Sequence, residues 1–362
     1  MKISIGSKEV EGPFGGGNEF LKNLKKYLIQ NNHIVLNHLN DKDIDIILLT
    51  NPLIDSETST FNNFDVDYYI KFINPNAISF QRINECDERK GTSHINNKLN
   101  RLNKNIDINI FVSSWLKNIF EKYSMGKKES LVIRGGPTIE VFNTKNKEFW
   151  DGKRKLRIVT HHWSNNWNKG YAIYSKLDKL LSQKDLINKY ELTVIGNPPK
   201  DFKLNNSKHL PPLFGENLAS ELKKHDIYIT ASQNEPSGNH HMEAALCGLP
   251  IIYINSGALQ EYCMDYGLEL NTEDIPCTLN EMVENYEHYK HNLNNYSYTF
   301  ENAAQEYLNV FSYAIKNKDK IYKKRSNINK LSVLKNSVLN KVKYYFFVNY
   351  IKLRKLLGKF KA

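Results

Sequence analysis

Short apolar segments alternate with amphipathic segments through the first half of the chain. Residues 18–31 repeat apolar side chains every three to four positions, which predicts an amphipathic helix. A second helix is predicted over residues 115–123. Apolar runs of strand length occupy residues 2–5, 33–36, 45–49, 108–113 and 130–133. Short apolar strands that alternate with helices are typical of a mostly parallel sheet with helices on both faces.

The same alternation starts again after a polar segment at residues 150–154. Strands are predicted at residues 156–160, 191–196, 227–231 and 250–254, and helices at 171–181, 242–247 and about 300–315. We therefore predict the α/β class, with two Rossmann-like, doubly wound domains at residues 1–150 and 151–315. Two such halves favour a ligand cleft between them, at the carboxyl ends of the strands.

Residues 316–362 have a different pattern and are predicted to form a basic, amphipathic helical tail. Apolar residues recur there every three to four positions, at Leu331, Leu334, Val338, Val342, Tyr345, Phe346, Tyr350, Leu353 and Leu357. Lysine and arginine lie between them, which is the pattern of a helix at an anionic membrane surface. The alternative is a helix that packs on the body of the protein or on a partner.

The positive charge of the chain is concentrated in this tail. The net charge is +11, but residues 316–362 hold 15 of the 50 basic residues and one of the 39 acidic residues. Residues 1–315 therefore carry a net charge of −3. A body close to neutral argues against a nucleic-acid-binding core.

Cysteine spacing and hydropathy favour a cytoplasmic protein. The four cysteines form no closely spaced pair, so neither a zinc site nor a disulfide framework is predicted. The N-terminus lacks the apolar core of a signal peptide, and no apolar run approaches the ~20 residues of a membrane-spanning helix. We expect a cytoplasmic protein that is peripheral on the inner face of the membrane if the tail binds lipid.

The strongest chemical signal is a pair of glutamates within residues 234–250. Glu235 precedes a glycine-containing turn, Glu243 follows eight positions later on a helix, and Cys-Gly-Leu-Pro then leads into a strand. Backbone N–H groups at such a helix N-terminus suit a diphosphate. Carboxylates on either side can accept hydrogen bonds from sugar hydroxyls. Two surface glutamates at this spacing would be common, but the surrounding strand, turn and helix make the pattern specific.

This segment resembles the E-x7-E motif of the retaining GT-B glycosyltransferases of family 4, and the resemblance extends over most of residues 1–315. Residues 111–117 and 132–137, with Phe142 after them, are also similar to segments of that family. The resemblance implies transfer of a sugar from a nucleoside-diphosphate sugar, UDP- or GDP-linked, with retention at the anomeric carbon. It implies neither a metal ion nor another cofactor.

The resemblance also implies roles for the residues of the motif. Glu235 would contact the hydroxyls of the donor sugar and is a candidate catalytic residue. Glu243 would hold the ribose hydroxyls of the nucleotide. Further donor-side candidates, through backbone N–H groups facing the phosphates or through the pocket wall, are Ser237, Gly238, Asn239 and His240.

A second element, residues 160–170, follows a strand and precedes a helix. A lysine there can neutralise a departing diphosphate, and a Lys-Gly pair serves that role in the family, so Lys169 is the candidate catalytic cation. A solvated loop lysine is the alternative. The family commonly has an arginine a few residues earlier, which this sequence lacks, so Ser164 or an arginine elsewhere would have to replace it. Gly196, which ends a predicted strand, is a further donor-side candidate.

A glycine-rich loop at residues 12–17 follows the first strand. It does not match G-x-G-x-x-G, and no acidic residue follows about 20 positions later in a convincing strand, which disfavours a bound NAD. The loop is similar to the family's loop that approaches the donor phosphates and the acceptor. Gly15 and Gly16 are the expected close contacts, and a purely structural turn is the alternative.

Residues 80–90 are unusually polar just after an apolar segment, as expected where a strand ends at the cleft. Arg82, Asn84 and Asp87 are candidates for binding the acceptor or assisting proton removal. A surface loop with salt bridges is an equally good interpretation, and the catalytic base stays open. The D-x-D pattern that starts at Asp65 is discounted as a metal site, since this pattern is frequent by chance.

These patterns predict a hexosyltransferase-type glycosyltransferase with a glycan or lipid-linked acceptor, in surface polysaccharide or glycolipid synthesis. The expected partners are a nucleotide sugar, that acceptor and an anionic membrane surface, but not nucleic acid. One alternative is a non-catalytic sugar- or nucleotide-binding protein of the same fold. A second alternative, an NAD-dependent nucleotide-sugar epimerase, fits the glycine loop poorly.

Overall fold

Two parallel six-stranded sheets form the framework of the protein, as seen in a computed structural model that describes residues 1–10, 16–52, 58–325 and 329–359. The first sheet contains β1 (Lys2–Ile5), β2 (Ile34–Leu36), β3 (Ile46–Leu49), β4 (Ile78–Ile83), β5 (Ile108–Phe111) and β6 (Ser130–Val132). The second contains β7 (Leu156–His162), β8 (Tyr190–Gly196), β9 (Lys208–Leu210), β10 (Ile227–Thr230), β11 (Ile251–Tyr253) and β12 (Gly267–Glu269).

The strand orders are β2-β1-β3-β4-β5-β6 and β12-β11-β10-β7-β8-β9. Neighbouring strands pair in parallel in both sheets. This arrangement confirms the prediction of two doubly wound α/β halves. Two edge strands, β9 and β12, were not among the predicted strands, because each has only three residues and the first is largely exposed.

Helices connect the strands and cover both sheets. In chain order they are α1 (Gly16–Gln30), α2 (Asn63–Tyr68), α3 (Asp87–Lys90), α4 (Ile95–Leu102), α5 (Ser114–Phe120), α6 (Tyr171–Leu180), α7 (Lys184–Ile187), α8 (Gly215–Lys223), α9 (Asn239–Leu246), α10 (Leu259–Cys263), α11 (Ile275–Glu284), α12 (Tyr286–Asn292), α13 (Phe300–Lys316), α14 (Lys318–Lys324) and α15 (Lys330–Lys359). Side-chain caps set several helix starts, as where Ser113 accepts a hydrogen bond from the N–H of Leu116 at 3.2 Å.

Helix α13 returns to the first sheet, although the sequence pattern grouped it with the second half. Its apolar face, with Tyr307 and Phe311, packs in the core that contains Ile3 and Phe80. The rings of Phe80 and Phe311 lie 5.0 Å apart, edge to face. An amphipathic pattern shows that a helix covers a sheet but not which sheet, and this explains the difference.

Side chains also tie the two halves together directly. Glu261 of α10 accepts hydrogen bonds from the N–H of Ser114 at 3.1 Å and from Arg134 at 2.9 Å. It therefore places a carboxylate at the N-terminus of α5, where negative charge is favourable. The hydroxyl of Tyr262 donates to the carbonyl of Val112 at 2.7 Å. These contacts join α10 to the segment that follows β5 of the first sheet.

The tail helix α15 packs on α2 through one narrow face of the helix. Val333, Ser337 and Asn340 are buried there. The Asn62 amide donates to the Asn340 side chain at 3.0 Å, and Asn340 donates to Asp65 at 3.3 Å. The alternative of a helix packed on the body is therefore what the structure has, but the predicted apolar stripe is not the contact surface.

Much of that apolar stripe faces solvent instead. The exposed apolar residues of α15 include Leu331, Leu334, Val338, Val342, Tyr345, Phe346, Tyr350 and Leu353. Within the described part of the chain, no helix combines the length and the apolar content that a bilayer span needs.

Candidate functional site

Glu235 lies in the loop that joins β10 to α9, at the carboxyl end of the second sheet. Its backbone is clamped by Gly257, because a Cβ added to that glycine would stand 2.3 Å from the nitrogen of Glu235. The N–H of Ala258 donates to the Glu235 carbonyl at 2.8 Å. Gly238 has a φ of 70°, so the turn before α9 requires a residue without a side chain. The result is a carboxylate held in place and almost fully buried.

Lys169 reaches this carboxylate from the loop after β7. Its Nζ donates to Oε2 of Glu235 at 2.5 Å. Gly170 follows the lysine with a φ of 95°, and a Cβ there would stand 2.6 Å from the Cβ of Ala231. The loop after β7 is thus pressed against the end of β10, which brings together two residues 66 positions apart in sequence.

A second cation reaches Glu235 from the first half of the molecule. Nε of Arg89, on α3, lies 3.6 Å from Oε1 of Glu235. Arg89 also pairs with Glu85, four positions earlier in the chain, at 3.3 Å. Burial raises the pKa of the Glu235 carboxyl, but Lys169 and Arg89 outweigh burial and hold that pKa below its ordinary value. Glu235 is therefore ionised at neutral pH.

Arg89 belongs to the polar segment at residues 80–90, from which other residues were predicted as candidates. The sequence signal that could have identified Arg89 is its position just after β4, because parallel strands end at the cleft. The amide of Asn234 donates to the carbonyl of Glu88 at 3.1 Å, so the same turn is also bonded to the loop before Glu235.

Glu243 forms an ion pair or hydrogen bond with a histidine from the end of β7. Nε2 of His161 lies 2.7 Å from Oε2 of Glu243. Nδ1 of His161 is buried without a hydrogen-bond partner. The carboxylate predicted to hold ribose hydroxyls is thus already oriented by a neighbouring ring.

Three further histidines pack beneath the loop and are neutral. Burial lowers the pKa of His162 and of His240 well below the usual value, and it lowers that of His241 to about 4. Each ring has a specific neighbour: His162 the hydroxyl of Tyr174 at 2.8 Å, His240 the hydroxyl of Thr230 at 2.9 Å and His241 the carbonyl of Ser237 at 2.6 Å. His240, a donor-pocket candidate, therefore supports the loop from below.

No three histidine, cysteine, aspartate or glutamate side chains come together as a metal site among the residues that the structure describes. Asp65, the first aspartate of the D-x-D pattern, forms a capping box at the start of α2. Burial raises the pKa of Asp67 to about 6, and Asn105 donates to its carboxylate at 2.9 Å.

The remaining donor-side candidates lie at the same end of the second sheet. Gly196 ends β8 with a φ of 126°, and a Cβ there would stand 1.9 Å from the carbonyl oxygen of His162. The Ser237 hydroxyl lies 3.3 Å from the Tyr262 hydroxyl, in the loop before α9. Ser164 accepts a hydrogen bond from the N–H of Asn166 at 3.3 Å, so it shapes the loop that carries Lys169.

The glycine-rich loop of the first half meets the motif directly. A Cβ added to Gly16 would stand 3.1 Å from the side-chain nitrogen of Asn239, the first residue of α9. The first glycine candidate, Gly15, lies outside the described residues. Helix α1 begins at Gly16, two residues before the start that its pattern predicted.

The acceptor-side candidates are less concentrated. The guanidinium of Arg82 lies 4.3 Å from the centre of the Phe20 ring, and Asn84 is exposed. The Asp87 carboxylate accepts hydrogen bonds from the N–H groups of Ile95 at 2.8 Å and Asn96 at 3.0 Å. Although burial raises the pKa of Asp87, a hydrogen bond from the Thr92 hydroxyl at 2.5 Å and these backbone bonds keep it below its ordinary value. Asp87 thus stabilises the α3–α4 turn, and it is poorly suited to take up a proton.

Comparison with known proteins gives a family-model match within the second half and a shared fold over most of the chain. Residues 142–299 match the family model described as glycosyl transferases group 1. No curated protein sequence matches the chain.

Several solved structures share the architecture at low sequence identity. HepE from Anabaena, in complex with UDP, has a TM-score of 0.63 at 15% identity, over 86% of this chain and 100% of that chain. Sucrose-phosphate synthase from Thermosynechococcus elongatus has a TM-score of 0.62 at 12% identity, over 87% and 99%. WaaG, a glycosyltransferase involved in lipopolysaccharide biosynthesis, has a TM-score of 0.57 at 11% identity, over 86% and 100%.

At these identities the likeness concerns the fold alone. The two parallel six-stranded sheets of this chain are arranged as in these solved structures. The family match covers the loop with Lys169 and the segment from Glu235 to Glu243. The protein therefore has the GT-B architecture, and its residues 142–299 match the glycosyl transferases group 1 family.

Proposed function

We propose that the protein transfers a sugar from a UDP- or GDP-linked donor to a glycan or lipid-linked acceptor, with retention of the anomeric configuration. The observation that carries this proposal is the ion pair of the half-buried Lys169 with the buried Glu235, beside the N-terminus of α9. A cation and free backbone N–H groups at one point suit a diphosphate. A buried carboxylate within reach of that point suits the hydroxyls of the attached sugar.

In the proposed reaction the bond between the anomeric carbon and the β-phosphate oxygen breaks, and its electron pair leaves with the nucleoside diphosphate. The acceptor hydroxyl forms the new bond to the anomeric carbon, and its proton passes to the departing phosphate. Lys169 stabilises the charge that develops on that phosphate. When the donor binds, Lys169 exchanges Glu235 for phosphate oxygens, and Glu235 then accepts hydrogen bonds from the donor sugar.

Glu243 has the companion role at the nucleotide. Its carboxylate accepts the ribose hydroxyls, and His161 at 2.7 Å fixes its orientation. The donor is a hexose, and the product belongs to surface polysaccharide or glycolipid synthesis in the cytoplasm. The family match and the shared fold support the transferase class of this proposal.

The first test is a thermal-shift screen of UDP-, GDP- and CMP-sugars, followed by an assay for release of the nucleoside diphosphate. We expect one UDP- or GDP-sugar to raise the melting temperature. Glu243→Ala should abolish that shift with the fold intact, and the exposed Glu284→Ala serves as the control. Unchanged donor affinity in Glu243→Ala would refute the role of the motif. Donor binding without transfer would favour a binding protein, and binding of NADH would favour the epimerase.

We further propose that the exposed face of α15 binds an anionic membrane surface. The helix carries eight basic residues and no acidic residue, so the chemistry that complements it is anionic lipid. Each lysine near such a surface contributes about 1 kcal/mol. The exposed valines and aromatic residues add apolar area that would enter the headgroup region.

Flotation of the full chain with phosphatidylcholine vesicles that contain phosphatidylglycerol tests this role. Val338→Asp combined with Val342→Asp should lower the bound fraction about tenfold. The control combines Ile187→Asp with Met264→Asp, which makes the same charge change at exposed apolar residues elsewhere. Equal loss in both double variants, or none in either, would contradict binding through α15.

A further inference from the structure

Two cations from opposite halves of the molecule share one carboxylate. Lys169 contacts Oε2 of Glu235 at 2.5 Å, and Nε of Arg89 lies 3.6 Å from Oε1. Glu85 also pairs with Arg89 and with Lys90, so three cations meet two carboxylates here, and this point of the cleft carries a net charge of +1. A more highly charged anion than a carboxylate is the ligand that such a site favours.

The loop that carries Lys169 lacks a second cation of its own. Between residues 158 and 168 there is no lysine or arginine. The other arginines with described side-chain partners are engaged elsewhere: Arg82 over Phe20, Arg134 with Glu261, Arg154 and Arg157 with Asp226, and Arg325 with Asp107. Among the described contacts, Arg89 is the arginine at Glu235.

The position of Arg89 depends on contact between the two halves. Its helix, α3, has only four residues, and Cys86 is buried just before it. Glu85 lies 3.3 Å from the guanidinium, which it contacts in addition to Glu235. The bond from Asn234 to the carbonyl of Glu88 holds the turn against the loop before Glu235.

We propose that Arg89 is a catalytic residue that contacts the β-phosphate of the leaving nucleoside diphosphate, an assignment that rests on the proposed function. In this structure the Glu235 carboxylate contacts both cations. When the donor binds, the guanidinium turns from Oε1 to the phosphate oxygens, for which its fork of N–H donors is well shaped. The first half thus supplies one of the two charges that the departing diphosphate requires. The site is complete only when the halves are in contact.

Binding of four nucleotides to the full chain tests this assignment. UDP and GDP carry a β-phosphate, whereas UMP and GMP lack one. Arg89→Ala should weaken the wild-type affinity for UDP or GDP about tenfold or more, because it removes a charged hydrogen bond. The same variant should leave the affinity for the matching monophosphate unchanged. The control is Arg101→Ala, an exposed arginine on α4, which should change neither affinity.

Rate measurements distinguish a role for the charge of Arg89 from a purely structural role. With the donor sugar that the wild type accepts, Arg89→Ala should lower kcat about a hundredfold. Added guanidinium ion should restore part of this loss, and Arg89→Lys should keep more activity than Arg89→Ala. Glu85→Gln removes the other partner of Arg89, so it should change kcat far less.

The outcomes distinguish failure of the role of Arg89 from failure of the proposed function. If the wild type binds UDP or GDP and Arg89→Ala binds it equally well, Arg89 does not contact the β-phosphate, although the proposed function stands. The same conclusion follows if the monophosphate weakens as much as the diphosphate, or if Glu85→Gln reproduces the whole loss. If the wild type binds none of the four nucleotides, the proposed function fails and the role of Arg89 fails with it.

Discussion

The two sides of the cleft are built in different ways. On the side of the second sheet, glycines clamp the backbone of Glu235, and buried neutral histidines fill the space beneath its loop. On the side of the first sheet, the four-residue helix α3 reaches the cleft through Arg89 and the carbonyl of Glu88. The first side contributes Arg89 and the neighbourhood of Gly16, whereas the second side contributes most of the candidate residues.

This difference has a physical reason. Under the proposed function, the second side binds a nucleoside diphosphate, a constant ligand whose charge and shape favour a rigid site formed before binding. Glu235 and its partner Lys169 are therefore held by backbone contacts that no side chain could replace. Under the same proposal the first side meets the acceptor, which varies from one protein to the next, and surface loops can vary with it. The second side should therefore prove the more rigid of the two when matched substitutions are made in both.

The largest effect is expected from Lys169→Ala. Without the ammonium group, the charge on the departing diphosphate loses its nearest cation, so kcat should fall by about 10²–10³. Initial-rate measurements of nucleoside diphosphate release will show this loss. Lys176→Ala is the control, because that lysine lies on α6 and donates to the carbonyl of Thr272 at 2.6 Å. Equal rates for Lys169→Ala and the wild type would remove the central claim about the donor side.

A pair of glycines compares the rigidity of the two sides. Gly257, on the second side, and Gly91, on the first, have nearly equal φ values of 67° and 64°. A Cβ at Gly257 would stand 2.3 Å from the nitrogen of Glu235, whereas a Cβ at Gly91 would meet nothing within 4 Å. Gly91→Ala should therefore lower the free energy of unfolding by about 1 kcal/mol, and Gly257→Ala by about 3 kcal/mol or more.

Urea unfolding measures both glycine variants, and nucleotide binding provides a second measurement. Gly257→Ala should also lose affinity for UDP or GDP, because a shifted Glu235 backbone no longer presents its carboxylate to Lys169. Gly91→Ala should keep that affinity. Equal stability of the two variants would show that the second side is no more rigid than the first.

The buried histidines make the second side sensitive to acid. The pKa of His241 is about 4 in the folded protein, against an ordinary value of 6.5. As the pH falls through 6.5, the unfolded chain binds a proton that the folded protein does not bind until about pH 4. The free energy of unfolding should therefore fall between these values, by about 2 kcal/mol at pH 5 for this histidine alone.

Urea unfolding at pH 7 and pH 5 measures this change. His241→Gln should reduce the difference in the free energy of unfolding between pH 7 and pH 5 by about 2 kcal/mol, the contribution of this histidine. His291→Gln, at an exposed residue, should leave the difference as it is in the wild type. A His241→Gln protein with the full acid sensitivity of the wild type would contradict the burial argument.

The sequence predicted what depends on local order along the chain. Apolar strands, the turn before α9 and the Lys-Gly pair at Lys169 are local patterns, and the parallel topology fixes which strand ends share an edge. This reasoning placed the Lys169 loop and Glu235 at one edge, and the structure brings their side chains into contact. The clamping role of Gly257 was not visible, because a glycine's close contacts depend on another loop.

Features that depend on contact between distant segments were harder to predict. Arg89 and Glu235 are 146 positions apart, and the polar segment around Arg89 contains several plausible residues. Asp87 matched an acid–base role by residue type, yet its carboxylate is occupied by the backbone of α4. In the tail, the apolar stripe was correctly located, but a buried Asn340–Asn62 contact decides which face meets the body.

The smallest effect should come from the single bond that joins the two sides at the motif. Asn234 has a φ of 50°, and its amide donates to the carbonyl of Glu88 across the cleft at 3.1 Å. Asn234→Gly keeps the backbone conformation and removes one hydrogen bond worth about 1 kcal/mol, so kcat/KM should fall about fivefold. Asn146→Gly is the matched control, since this exposed asparagine has a φ of 62°.

Asn234→Gly should change kcat and nucleotide affinity to different extents. If the bond holds Arg89 near the departing phosphate, its loss should lower kcat more than it weakens the affinity for the nucleoside diphosphate. The reason is that the second side still binds the nucleotide through Lys169 and Glu243, and Arg89 itself remains present. An equal loss in Asn146→Gly would show that the effect comes from the added backbone freedom of glycine. Asn234→Gly could instead lose as much nucleotide affinity as Arg89→Ala does. That result would show that the second side binds the nucleotide only after this bond has brought the first side into place.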